Sequence, residues 1–145
     1  MERNSITLLQ YAGFLLVVGL ASAFYSAADR TVGWNIHGAS GLKACGGAAL
    51  LIAVLGILAG KGKAMAAWVG LAVAFLLLSY GGMTLFKTLR DVSGAAVKVA
   101  ADRGITQQAA ERAVLYKAGI FGAMAVFSLS AFMRLGLSLR NDKTA

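Results

Sequence analysis

The sequence predicts an all-α integral membrane protein: four transmembrane helices in an antiparallel bundle, the last two extended beyond the bilayer as a helical hairpin. Three observations lead there. Hydrophobic residues make up 59% of the chain and charged residues only 14%, against about a quarter charged in a typical soluble domain. The charges that exist are not scattered but stand at the ends of long apolar runs. Glycine appears 18 times and proline never, which suits close helix–helix contact in lipid better than turn-rich soluble architecture.

The first run, Ile6 to Ala28, holds 23 residues without a charge. A bilayer core of about 30 Å needs about 20 helical residues, so this run is long enough to span. Ala21-Ser22-Ala23 resembles a signal-peptidase site. Only Arg3 marks a basic lead, however, and the run stays apolar past that point, so it is read as a retained span. The second run, Ala44 to Gly60, reaches spanning length when extended back to Gly41, with Ser40 placed as its cap. Between these runs, Trp34 and Lys43 read as interfacial anchors.

Gly60 to Lys63 allows only a tight turn before the third run, Ala64 to Phe86, where Trp68 is a further anchor. Ala118 to Met133 forms the core of the fourth span. With Lys117 and Arg134 snorkelling outward it extends over about 114–136. No segment alternates polar and apolar as a membrane barrel strand must.

The stretch 87–117 turns polar yet keeps helix formers. Leu85, Leu89, Val92, Ala96 and Val99 recur at heptad spacing. That stripe predicts a third helix running unbroken to about Arg103. Gly104 then stops it, and Thr106 caps a last helix from near Gln107. Orientation stays open, because the two predicted faces carry six and eight basic residues.

The formal net charge of +8 does not indicate nucleic acid, since the cations lie at span ends, where they meet headgroups. No Asp, Glu, Arg or His falls in the interior of a span, and Lys43, Lys117 and Arg134 lie only at edges, which argues against conventional ion-coupled transport. His37 and Cys45 are the one pair with ligand or nucleophile character; no further ligands or orienting group accompany them. No catalytic residue, metal or cofactor is therefore expected.

Glycine placement carries the interaction reading. Gly56-Ile57-Leu58-Ala59-Gly60 is a GxxxG pattern, and Gly46-Gly47 precedes it on the same helix. Such small residues let backbones approach closely. The expected packing or interaction positions are Gly46, Gly47, Gly56 and Gly60, together with the Leu89, Val92, Ala96, Val99 stripe. Tyr11, Tyr25, Tyr80 and Tyr116 read as an aromatic belt, and Gln10, Ser79, Ser128 and Ser130 as hydrogen-bonding groups between or within helices.

The chain resembles the transmembrane protein 14 family, which includes plastid fatty-acid exporters. The likeness lies in four glycine-rich spans, a small-residue entry to the second (Gly38 to Gly47), and Lys117-Ala118-Gly119-Ile120-Phe121-Gly122 opening the last. The chain departs from the family in lacking the proline of that last motif and the paired glycines of the first helix. Its polar hairpin is also longer. The resemblance implies passage of hydrophobic molecules such as fatty acids. The residues themselves favour a non-enzymatic accessory or scaffold subunit, with a holin-like pore former as a third alternative. The expected partners are membrane lipids and other membrane subunits or a second copy; the expected location is an integral membrane, the inner one if the source is bacterial.

Overall fold

The computed structural model describes residues 2–28 and 35–141, with side chains described over 2–23 and 42–141. Among these residues there are five helices and no strand: α1 (Glu2–Ala28), α2 (Asn35–Gly60), α3 (Ala64–Arg90), α4 (Val92–Arg103) and α5 (Gln107–Asn141). All but α4 are long and apolar enough to cross a membrane. Trp34 lies outside the described residues, as do the side chains of Tyr25 and His37.

Three sequence expectations need correction. Ser40 does not cap the second helix, because α2 begins at Asn35 and Ser40 lies within it. With no proline upstream, nothing halts the helix at the polar entry. The third helix does not run unbroken to Arg103. It ends at Arg90, and α4 starts afresh after Asp91, whose backbone (φ −143°, ψ 62°) leaves the helical region. The Asp91 carboxylate accepts a hydrogen bond from the Gly94 N–H at 2.9 Å, the cap geometry that begins a new helix. Gly94 is suited to that spot, since a Cβ there would collide with the carboxylate. Leu89 consequently falls out of the stripe. The break resets the helical phase, leaving Leu89 53% exposed, whereas Ala96 is fully buried.

The two tight connections rest on left-handed glycines. Gly62 has φ +82°; the Lys63 N–H reaches the Leu58 carbonyl at 3.0 Å and the Gly62 N–H the Ala59 carbonyl at 3.1 Å. This pair of bonds is a Schellman motif, which uses up carbonyls that a helix end leaves orphaned. Gly104, at φ 63°, ends α4 in the same manner, with the Ile105 N–H returning to the Ala100 carbonyl at 3.3 Å. Thr106 then caps α5, its Oγ1 accepting from the Ala109 N–H at 3.3 Å. The stop at Gly104 and the cap at Thr106 are both as the sequence predicts.

The long helices meet through small residues. At one end of α1, Gly56 and Gly60 of α2 face Ser5, Leu8 and Leu9; towards the other, Gly19 faces Leu42 and Cys45. Gly70 of α3 receives the tip of Leu8, and Gly81 lies against Phe121, Met124 and Ala125 of α5. Such contacts bring backbones close enough for dispersion to act over a long seam. The centre is filled by Leu8, Tyr11, Leu15, Ile52, Leu135 and Ser128, each under 2% to about 2% exposed. A second, smaller cluster of Ala96, Ala110 and Val114 joins α4 to α5, with Val92 and Val99 packed at its edge.

The outside is the reverse of a soluble protein's. Leu50 is 71% exposed, Leu76 and Val126 65%, and Val17 62%. Exposed apolar surface on this scale marks contact with lipid or with partner proteins.

Candidate functional site

The expected glycine positions divide into two groups. Gly56 and Gly60 are occupied within the chain: a Cβ on Gly56 would stand 3.0 Å from Leu9 Cγ, and one on Gly60 would stand 3.0 Å from Ser5 Oγ. Ser5 also donates to the Gly56 carbonyl at 2.8 Å. This GxxxG face therefore packs α2 against α1, with Gly56 buried and Gly60 exposed at its end. At Gly46 and Gly47 an added Cβ would meet no atom of another described helix within 4 Å. Of the hairpin stripe, Val92, Ala96 and Val99 come together and Leu89 does not.

Of the anchors, Lys43, Trp68, Lys117 and Arg134 are exposed on α2, α3 and α5. Cys45 is half-buried and free, with its Cβ against Gly19. Among the described residues no group of His, Cys, Asp and Glu could hold a metal ion.

Two polar features sit along the meeting of α1 and α5. The first is internal. Tyr11, expected in an aromatic belt, is instead buried at 2% exposure, and its hydroxyl shares a hydrogen bond of 2.6 Å with Ser128 Oγ. Two hydroxyls far from water must satisfy each other, because an unpaired one would bear its full desolvation cost. A parallel tie lies farther along, where Tyr116 donates to the Ala21 carbonyl at 2.8 Å. Ser79, by contrast, bonds back to its own helix at Phe75.

The second feature is open. A groove of about 500 Å³ runs between the start of α1 and the end of α5, flanked by Arg3, Gln10, Arg134 and Ser138. It continues into a smaller recess of about 160 Å³ bounded by Gln10, Ser130 and Arg134. Phe14 and Phe127, stacked at 4.0 Å with their planes 14° apart, also line this recess. Arg3, Thr7, Gln10 and Phe14 recur at spacings of four, three and four, so they line one face of α1. Ser130, Arg134 and Ser138 do the same on α5. From Arg3 to Phe14 the groove covers about 16 Å of helix rise.

Among the described residues the groove thus carries two guanidinium groups, the amides of Gln10 and Asn141, and hydroxyls, with no acidic side chain lining it. It offers hydrogen-bond donors and positive charge to a neighbour. From the sequence alone, Arg134 reads as a snorkelling anchor and Gln10 and Ser130 as hydrogen-bonding groups between or within helices. The signal that unites them is the helical repeat of polar residues within two apolar runs.

Comparison of the chain with protein-family models, with curated proteins and with solved structures finds no match.

Proposed function

We propose that this protein is a non-enzymatic accessory or scaffold subunit of a membrane assembly. In this reading its four long helices cross the bilayer as an antiparallel bundle, and the polar groove between α1 and α5 receives a transmembrane helix of a partner. The observation that carries it is the filled centre: Leu8, Tyr11, Leu15, Ile52, Ser128 and Leu135 occupy the space where a conduit would have to run. The groove supplies the second support. Polar side chains within lipid-facing surface are costly unless they are bonded, and a partner helix bearing its own polar or acidic group would satisfy Gln10, Ser130 and Arg134 together. The antiparallel arrangement is supported by the order of contacts, in which early residues of α1 meet late residues of α2 and α5.

Transport of hydrophobic small molecules, implied by the resemblance to the transmembrane protein 14 family, has one observation in its favour. The same groove is amphiphilic, lined by Arg3 and Arg134 and by the stacked Phe14–Phe127 pair. The buried side chains at the centre of the bundle give it no continuation among the described residues, which suits a partner's side chains better than passage.

Gentle detergent extraction from the native membrane, followed by native-gel separation and mass spectrometry, distinguishes the two. The expected result is co-migration with a defined larger complex at fixed stoichiometry. Migration as a single chain with bound lipid would overturn the subunit reading and favour transport.

A further inference from the structure

We propose that a second cleft, enclosed by α3, α4 and α5, binds the phosphate headgroup of an anionic phospholipid. The cleft has a volume of about 370 Å³. Three cations stand around it, one from each helix: Lys87 in the last turn of α3, Arg103 at the end of α4, and Lys117 of α5. Its floor is apolar, formed by Ala95, Val99 and Val114, the same side chains that seal α4 onto α5.

Two independent features point to a lipid as the occupant. The first is charge. Among the described residues no acidic side chain lines the cleft, whereas Lys87 of α3 and Lys117 of α5 both border it. Two ammonium groups brought to one cleft from separate helices, with no acid lining it, favour an anion there. The second is depth. Lys87 directly follows the charge-free run 64–86, and Lys117 directly precedes the charge-free run 118–133. Both ammonium groups thus mark the boundary between apolar and polar chain, the level at which phospholipid phosphates lie.

The fold accounts for how the site is made. The break at Asp91 lets α4 leave the line of α3 and lean on α5. Val99 and Arg103, one turn apart on α4, then reach the cleft together. A straight extension of α3 would not enclose this space. The site rests on the reading that the four long helices cross the bilayer, but not on whether a partner fills the α1–α5 groove.

The test is native mass spectrometry of the whole protein released from nanodiscs of phosphatidylcholine containing a minority of phosphatidylglycerol. The wild-type protein should retain phosphatidylglycerol well above its share of the bilayer. Lys87→Gln with Lys117→Gln should reduce that retention on the order of thirtyfold, about fivefold per lysine. Both residues are exposed, so these changes leave the packing intact; Lys87→Arg with Lys117→Arg should restore retention. Lys61→Gln with Lys63→Gln, which removes the same charge from the α2–α3 turn, should leave retention unchanged. Equal retention of the two lipids, or equal loss from the turn variant, would overturn the site. Displacement of the lipid by inorganic phosphate alone would overturn the assignment to a lipid in favour of a free anion.

Discussion

Tyr11→Ala is expected to destabilise the protein by about 3–5 kcal/mol, the range for removing a large aromatic ring from a packed interior. Tyr11 sits at 2% exposure in the main cluster, beside Leu8 and Leu15, and its ring is part of what closes the centre. Tyr11→Phe keeps the ring and removes only the hydroxyl, so it should cost about 1 kcal/mol. Ser128→Ala should cost about the same, and the double variant should cost less than the sum of the two. That shortfall is the coupling through the 2.6 Å hydrogen bond; pairs of this kind within membrane proteins average about 0.6 kcal/mol. Unfolding by denaturing detergent from mixed micelles measures all four. Similar losses for Tyr11→Ala and Tyr11→Phe would mean that the ring is not packed. Strict additivity would mean that the hydroxyls do not meet.

Gly19→Leu is expected to be the most damaging change at a glycine. A Cβ there would stand 2.9 Å from the Cβ of Cys45 and 3.6 Å from the Cα of Leu42. Neither atom is the tip of a side chain that can swing away, so α1 and α2 must separate. Overpacking of this kind costs about 1–3 kcal/mol, and a leucine should lie at the upper end. Gly13 provides the contrast on the same helix, because nothing lies within 4 Å of a Cβ added there. Gly13→Leu should stay within about 0.5 kcal/mol of wild type. The same unfolding measurement decides this pair, and equal effects at Gly13 and Gly19 would contradict the described α1–α2 contact.

The sequence speaks clearly where a single physical quantity decides. Four uninterrupted apolar runs are readable because charge is so costly inside a span that its absence has few other meanings. Gly104 and Thr106 are readable because a left-handed stop and a hydroxyl cap are local, needing only a few neighbouring residues. Asp91 is local too, yet it lay hidden. In a stretch rich in helix formers an aspartate fits equally well on a solvated helix face, and the heptad spacing across it made one continuous helix the simpler reading. The backbone break puts Leu89 out of phase with Val92, Ala96 and Val99.

Long-range questions were less accessible. Gly56 and Gly60 announce that something approaches closely, but not whether it belongs to this chain or another. Only the position of Ser5 and Leu9 assigns the face to α1. A Gly60→Leu change therefore first meets Ser5 of the same chain. Tyr11 and Ser128 are separated by 117 residues, and neither carries a sign of the other. The α1–α5 groove was half-legible: its polar residues repeat at helical spacing on each helix, but their convergence depends on which two helices adjoin.

The most direct measurement is site-specific photo-crosslinking in the native membrane, with a photoreactive side chain placed at Gln10 and, separately, at Leu76. Gln10 lines the groove, whereas Leu76 is 65% exposed on α3 and does not line it. The predicted result is one discrete protein adduct from Gln10 and only lipid adducts from Leu76. Lipid adducts from both positions, or the same protein adduct from both, would contradict a subunit that docks its partner in the α1–α5 groove.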